Sequence, residues 1–332
     1  MSGDALRDQM LERIGQPMGS GGPTLAPDPV NLPMIRHWVD AFDDRNPVYL
    51  DEDAAIRAGF DGIVAPAAML QAWTMPRPRI EGIRERGGSP TAVDPDTAIA
   101  VLAAAGFRGT LATNSELEFD RPLHLGDELM SASTLAEISE LKGTGLGVGY
   151  FVTWINTFTT RAGEEVGRQR FRVYKFDPTR SAADLPPRPK AAAAEVAAER
   201  EKISGEVLPE FTLDVTATVI VAGAIATRDF MPVHHDRDYA QSQGAPDVFM
   251  NILTTNGYVA RYVTDWAGPT ARVQRIAIRL GGPAIPGSPL QFTGQVTDQR
   301  TEGATRHVEV TLRAANDLGD HATGTVDLTL PT

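Results

Sequence analysis

Asp229 and His234 stand on either side of Pro232 in the stretch Thr227-Arg-Asp-Phe-Met-Pro-Val-His-His-Asp-Arg-Asp-Tyr-Ala-Gln-Ser-Gln-Gly244. The proline stiffens the turn, so one carboxylate and one imidazole are held near each other. Such a pair suits the addition of water across a carbon–carbon double bond, because one group must deprotonate water while a proton is delivered to the neighbouring carbon. His235 reads as a packing or hydrogen-bonding neighbour. A metal site at His234, His235 and Asp236 is disfavoured, since adjacent side chains diverge and no third histidine is spaced to complete it.

The stretch occurs twice. Asp44-Arg-Asn-Pro-Val-Tyr-Leu-Asp-Glu-Asp-Ala-Ala-Ile-Arg-Ala-Gly59 aligns with it at a shift of 185, pairing Asp44 with Asp229, Pro47 with Pro232, Val48 with Val233, Asp51 with Asp236 and Gly59 with Gly244. The chain is therefore an internal repeat, and its architecture is two copies of one unit. Where the second copy has His234 the first has Tyr49. A phenol with a reference pKa of about 10 is a poor proton acceptor at neutral pH, so the first copy reads as catalytically silent. Its Asp44 is expected to hydrogen-bond nearby backbone, as aspartate does in turns.

The elements around each loop follow from periodicity. Ile35, Trp38, Val39 and Phe42 recur at helical spacing before the first loop. After it, an apolar stretch over 60–74 should begin a buried helix that Pro76 and Pro78 stop. In the second copy Val248, Phe249, Ile252, Leu253, Val259, Tyr262, Val263 and Trp266 fall on one helical face with no break before Gly268-Pro269. The copies re-align at Pro122 and Pro283 with a shift of 161, so the first copy holds 24 extra residues, placed within 77–109. A loop there would lie over a ligand or leave the cavity open. Alternating Val, Thr, Phe and Tyr then predict strands over 114–119, 128–138, 147–159 and 167–176, and over 272–280, 290–297, 305–314 and 322–330. A helix followed by an antiparallel meander, with the sheet wrapping the helix, gives an α+β fold. The division expected is a lead-in over 1–33, a degenerate unit over 34–177, a Pro- and Ala-rich linker over 178–204 with helix over 191–201, and a catalytic unit over 205–332.

The Asp229 to His234 pattern resembles the Asp-x-Asn-Pro-x-His motif of the MaoC-like, hotdog-fold 2-enoyl-CoA hydratases, with Met231 in place of the asparagine. More narrowly, Ala226-Thr-Arg-Asp-Phe, Val233-His-His-Asp-Arg-Asp, Asn251-Ile-Leu-Thr and Arg261-Tyr-Val-Thr-Asp-Trp-Ala-Gly-Pro269 resemble the small catalytic subunit of the actinobacterial steroid side-chain (cholesterol-degrading) hydratases. Asn46-Pro-Val-Tyr-Leu-Asp51 and Phe60-Asp-Gly-Ile-Val-Ala-Pro-Ala-Ala-Met-Leu-Gln-Ala-Trp-Thr-Met75 resemble the MaoC domain of their larger subunit. The resemblance implies a double hotdog, two helix-wrapped antiparallel sheets in one chain, in which both subunits are fused. It further implies hydration of an α,β-unsaturated acyl-CoA to the 3-hydroxyacyl-CoA. The implied substrate is a steroid-CoA with a short unsaturated side chain, of the 3-oxo-pregnadiene-20-carboxyl-CoA type.

In that reading Asp229 and His234 are the catalytic pair, and backbone N–H groups of Phe249, Met250 and Asn251 at the start of the second-copy helix receive the thioester oxygen. Ile63, Val64, Met69 and Trp73 would line the space left by the broken first helix. Acyl-CoA is the substrate, and no cofactor or metal is expected. A homodimer of double hotdogs is expected by analogy with paired heterodimers. The larger subunit's C-terminal domain of the DUF35 type has no counterpart here, so an aldolase partner docking through it is doubtful. A hotdog acyl-CoA thioesterase and a non-catalytic acyl-CoA-binding subunit are the alternatives; the second copy's intact pair favours the hydratase.

Composition narrows the remaining classes. At 332 residues, 42% hydrophobic and 22% charged, the chain reads as a globular protein of two domains. Its net charge of −12 disfavours nucleic-acid binding, which needs a basic face. No run of about 18 apolar residues predicts a membrane helix. The N-terminus has no apolar secretory segment, so a cytoplasmic location is expected. Zero cysteines exclude disulfides and thiolate chemistry.

Overall fold

The computed structural model describes residues 3–19, 21–181, 183, 185 and 205–332; the helix expected over 191–201 lies outside them. The first half contains helices α1 (Gly3–Leu11), α2 (Leu32–Phe42), α3 (Glu52–Arg57), α4 (Leu70–Thr74) and α5 (Ala98–Ala104), and strands β1 (Thr24–Leu25), β2 (Gly109–Phe119), β3 (Leu129–Ile138), β4 (Lys142–Thr144), β5 (Gly147–Thr160) and β6 (Glu165–Asp177). The second half contains β7 (Phe211–Leu213), α6 (Ala217–Ala226), α7 (Arg237–Ser242), α8 (Ile252–Ala267), β8 (Arg272–Leu280), β9 (Leu290–Glu302), β10 (Thr305–Asn316) and β11 (Gly319–Pro331). The repeat is exact where the loops are. Helices α2 and α6, the turns Pro47–Tyr49 and Pro232–His234, and α3 and α7 all begin at the shift of 185 read from the sequence.

The two sheets expected from the repeat are hydrogen-bonded into one. Its order is β1-β3-β5-β6-β2-β8-β11-β10-β9-β7, with β4 on β5, and the seam is the antiparallel pair β2 and β8, with Leu117 opposite Ile276 and Glu118 opposite Arg275. Across the seam Arg275 reaches Glu116 at 2.6 Å. Leu117 and Ile276 are buried on the helix side.

Helix α8 is the long helix that the sheet wraps. Asn251 caps its first turn by accepting the Thr254 amide, and Gly268 ends it with φ of 82° ahead of Pro269. Most of its residues are buried, including Ile252, Leu253, Val259 and Val263. Each such apolar side chain removed from water contributes about 1.5–3 kcal/mol. Its counterpart stops early, as expected: a single turn, Ala67–Met69, leads into α4, which ends at Thr74 before Pro76. Among the described residues no helix is long and apolar enough to cross a membrane.

One close approach couples the halves. Phe42 at the end of α2 lies against Gly257 in the middle of α8, where a Cβ would sit 2.2 Å from the Phe42 ring, and the same ring meets Tyr258 at 5.0 Å. Gly257→Ala should therefore force Phe42 aside and destabilise the chain by about 1–3 kcal/mol. A urea midpoint equal to wild type would show that this contact bears no strain.

Candidate active site

Helix α6 ends in a left-handed residue that aims the next one inward. Arg228 has φ of 60°, the Asp229 amide reaches back to the Ala224 carbonyl at 2.9 Å, and the chain turns so that the Asp229 carboxylate enters the interior. Its Oδ1 accepts the Met231 amide at 3.2 Å. Pro232–His234 then forms one helical turn, which places His234 Nε2 3.3 Å from Asp229 Oδ2. Both side chains are largely enclosed, 12% exposed for Asp229 and 6% for His234. The fold thus brings together the two residues expected to react.

Their protonation follows from their neighbours. Burial pushes the Asp229 carboxyl up, but the His234 charge and hydrogen bond, the Met231 amide and the Asn251 side chain outweigh it and hold it below the ordinary carboxylate range. Burial pushes His234 down; Asp229 and the Phe249 carbonyl outweigh it and hold it above the ordinary imidazole value. His234 Nδ1–H donates to the Phe249 carbonyl at 2.7 Å, so proton exchange is confined to Nε2, facing the carboxylate. Each group thus favours the charged form of the other.

The stretch 249–251 serves this pair in a way the sequence reading missed. The Phe249 amide donates to the Val233 carbonyl at 3.4 Å and the Met250 amide to the Ala284 carbonyl at 2.9 Å, so neither is available to an oxyanion as expected. Phe249 acts instead through its carbonyl. Asn251 acts through its side chain: Nδ2 donates to Asp229 Oδ2 at 3.0 Å and to Thr227 Oγ1 at 2.9 Å, while Oδ1 accepts the Thr254 amide at 2.7 Å. Because Oδ1 is committed to a backbone donor, the amide orientation is fixed and the NH2 group must face Asp229. The Asn-x-x-Thr run at a helix start was the signal for the cap; its second partner lies 22 residues back and left no trace in spacing.

Two further groups hold the site from outside. His321 on β11 is buried and kept neutral by that burial; its Nδ1–H donates to the Gly282 carbonyl at 2.9 Å, and its Nε2 accepts the Thr255 hydroxyl at 2.9 Å, which ties the first turn of α8 to the sheet. The 24-residue insertion lies on the catalytic loop. Arg84 pairs with Asp236 and stands over the Tyr239 ring at 5.9 Å, and Gly88, at φ of 88°, approaches so closely that a Cβ would lie 2.9 Å from the Tyr239 hydroxyl and 3.4 Å from Pro232.

The proposed lining residues separate. Val64 borders a cavity of about 280 Å³, whereas Met69 and Trp73 are closed in the core and Ile63 is half-buried away from it. Met69 and Trp73 bury the inner face of the short helical segment against the sheet and offer no open wall. The cavity itself borders Tyr49, in the silent copy, and not His234.

In the silent copy Asp43 repeats the left-handed turn at φ of 47°, and Asp44 Oδ1 accepts the Asn46 amide at 3.0 Å, the backbone bond expected for it. Tyr49 is buried in the histidine's place, and burial with the Asp44 charge raises its pKa further. With no cation in the position of His234, burial pushes Asp44 up to about 6.

Residues 24–169 match the FAS1-like dehydratase domain region and residues 199–317 match the MaoC like domain. A 3-oxo-4,17-pregnadiene-20-carboxyl-CoA hydratase beta subunit from Mycobacterium tuberculosis is 48% identical over 128 residues, 39% of this chain and 96% of that protein. A probable enoyl-CoA hydratase alpha subunit from Thermomonospora curvata is 40% identical over 189 residues, 54% of this chain and 55% of that protein. The pregnadiene-carboxyl-CoA hydratase alpha subunit from Mycobacterium tuberculosis is 38% identical over 169 residues, 51% of each. The chain thus spans about half the length of the alpha subunits it matches. Among solved structures, a MaoC-like dehydratase superposes with a TM-score of 0.69 over 96% of this chain and 98% of that one at 22% identity. A double-hotdog protein from Mycobacterium tuberculosis superposes with a TM-score of 0.59 at 14% identity, covering 96% of each chain. At those identities the likeness is one of fold, and it establishes the double hotdog.

The buried Asp44 yields a stability prediction with a definite sign. A carboxyl raised from 3.8 to about 6 prefers its neutral form in the folded chain, so stability falls as pH rises between these values and stays low above them. Asp44→Asn keeps the acceptor for Asn46 and removes the charge. It should raise stability at pH 7.5 by roughly 2–3 kcal/mol, at about 1.4 kcal/mol per pKa unit, and leave it little changed at pH 4. Thermal unfolding at the two pH values measures this; equal shifts at both would show that Asp44 ionises freely.

Proposed function

The chain belongs to the MaoC-like dehydratase family, and we propose that it hydrates an α,β-unsaturated acyl-CoA to the 3-hydroxyacyl-CoA at Asp229 and His234. The observation that carries this is the enclosed Asp229–His234 pair, 3.3 Å apart, in the copy that keeps both residues. Asp229, held as carboxylate, takes a proton from water as its oxygen bonds to the β-carbon. His234 Nε2 delivers a proton to the α-carbon, and a transfer across the gap from Asp229 to His234 restores the pair. Water is consumed, and one C–O and one C–H bond form at the expense of the double bond.

The developing enolate oxygen needs a donor. With Phe249 and Met250 engaged, the amide of Asn251 at the positive end of α8 is the member of the expected trio left to serve, and such a donor is worth about 2.7–4 kcal/mol. The same residue thus presents its amide to the thioester and its side chain to Asp229.

For the acyl group we favour a steroid on a short unsaturated side chain. Support comes from relatives named for a pregnadiene-carboxyl-CoA, together with an α4 that stops at Thr74 where its counterpart α8 continues to Ala267. The substrate class, a cytoplasmic location and assembly as a homodimer of double hotdogs are parts of the same proposal. Light scattering at micromolar concentration should show the dimer, and a monomer there would remove the assembly reading.

Loss of enoyl absorbance with 3-oxo-4,17-pregnadiene-20-carboxyl-CoA and with crotonyl-CoA tests the chemistry. The steroid thioester should show the higher kcat/KM, by about 100-fold, because its rings bury apolar area that crotonyl lacks. His234→Ala and Asp229→Ala should each fold and lower turnover by about 100-fold or more. A preference for crotonyl-CoA would end the steroid reading alone. A fast His234→Ala enzyme would end the site assignment.

A further inference from the structure

The silent copy has lost its proton-transfer histidine but has kept a cavity. At the shift of 185, Asn46, Val48 and Tyr49 correspond to Met231, Val233 and His234, and all three border the space of about 280 Å³. Its walls are mostly apolar, chiefly Val48, Phe60, Val64, Leu70 and Leu123, with Asp120 exposed at its border. It has room for a short chain of methylene groups. A well-packed interior leaves few voids of that size, and filling this one would need no more than a few larger side chains.

Two arginines border the cavity, and they differ. Arg121 is neutralised by Asp127 and Glu164, each at 2.8 Å. Arg272, half-buried at the start of β8, has no carboxylate within ion-pair distance among the described residues. Its terminal nitrogens donate to the carbonyls of Thr270 and Ala58, both at 2.7 Å, and the guanidinium lies 3.3 Å over the Phe60 ring. These contacts fix its plane and leave N–H donors of the five-donor fork unused. A fixed cation lacking a counter-ion at the edge of an apolar cavity is matched by an apolar chain with an anionic head.

We propose that the silent copy is a second, non-catalytic binding site for an apolar monocarboxylate, with the chain among Val48, Phe60, Val64 and Leu70 and the carboxylate on Arg272. Arg272 binds a carboxylate through paired N–H groups more strongly than it binds neutral carbonyls. The ligand would leave unchanged, since Tyr49 can neither take up nor relay the proton that His234 handles. The site does not depend on which enoyl-CoA the other copy hydrates.

Octanoate, with seven chain carbons beyond or including its α-position and one carboxylate, is the probe. Calorimetry on the full chain should give one site per chain in wild type and in His234→Ala alike. Arg272→Gln should weaken binding at least tenfold while leaving hydration of crotonyl-CoA unchanged. Leu70→Phe, which fills the cavity, should abolish binding and serves as the second variant if Arg272→Gln does not fold. Octanol should bind wild type at least tenfold more weakly than octanoate, and octanoyl-CoA should bind with no dependence on Arg272. A photoreactive octanoate should label the peptide spanning 46–70. No binding at millimolar octanoate, octanol binding as well as octanoate, loss of binding in His234→Ala, or labelling confined to 229–251 would each overturn the proposal.

Discussion

A carboxylate and an imidazole enclosed 3.3 Å apart lose much of their solvation, and their opposite charges and fixed hydrogen bonds must offset that loss. Several polar groups close to the pair favour its charged form against the effect of burial. The Met231 amide donates to Asp229 Oδ1 and the Asn251 side chain to Oδ2, which leaves one lone pair on Oδ1, and the Phe249 carbonyl holds the second ring nitrogen of His234. The first copy shows what the same loop does without the cation: burial pushes its Asp44 up to about 6. The two buried carboxyls shift in opposite directions, Asp229 with His234 and Asn251 beside it and Asp44 with Asp43 and Asp265 near it.

Helix α8 is the element through which this local chemistry depends on the whole chain. Its first turn supplies Asn251 to Asp229 and Thr255 to His321 on β11, its middle passes Gly257 over Phe42 from the other half, and Asn256 donates to Ser115 on β2 at 3.1 Å. Ser115 in turn accepts from Gln169, which bonds Gln71 and Asn156, so a buried polar chain joins α8 to the sheet of the silent half. Partners of this kind are directional, and a displaced α8 would leave several of them unmet in the interior. The copy with Tyr49 in the histidine's place is therefore part of the support of the Asp229–His234 site.

The copies differ in two further places. The first has a helix cut short before Pro76 and an insertion that crosses to the other copy, where Arg84 and Gly88 settle on Asp236, Tyr239 and Pro232. A residue from one unit thus fixes the loop that carries the other unit's histidine. Fusion in one chain keeps these unlike halves together at equal stoichiometry.

Much of this was legible in the sequence, because it depends on spacing along the chain. The Asp229-to-His234 loop, the repeat at a shift of 185, the replacement of histidine by Tyr49, the stop before Pro76 and the strand alternation are all local patterns, and the helices and strands fall on them. What local patterns do not contain is the direction in which a side chain meets a distant partner. The sequence marked 249–251 as important but assigned the work to three amides; the fold sets the Val233 turn and the Ala284 loop against two of them and the Asn251 side chain on Asp229. It likewise marked Met69 and Trp73 as apolar without distinguishing a pocket wall from a core, a difference made by whether the sheet closes over them. His321 carried no pattern at all, since its partners Thr255 and Gly282 become neighbours only when β11 is laid beside β8 under α8. The chain order determined which residues could react, and tertiary packing decided their protonation and which of their neighbours remained free, because both depend on burial and on contacts between residues far apart in sequence.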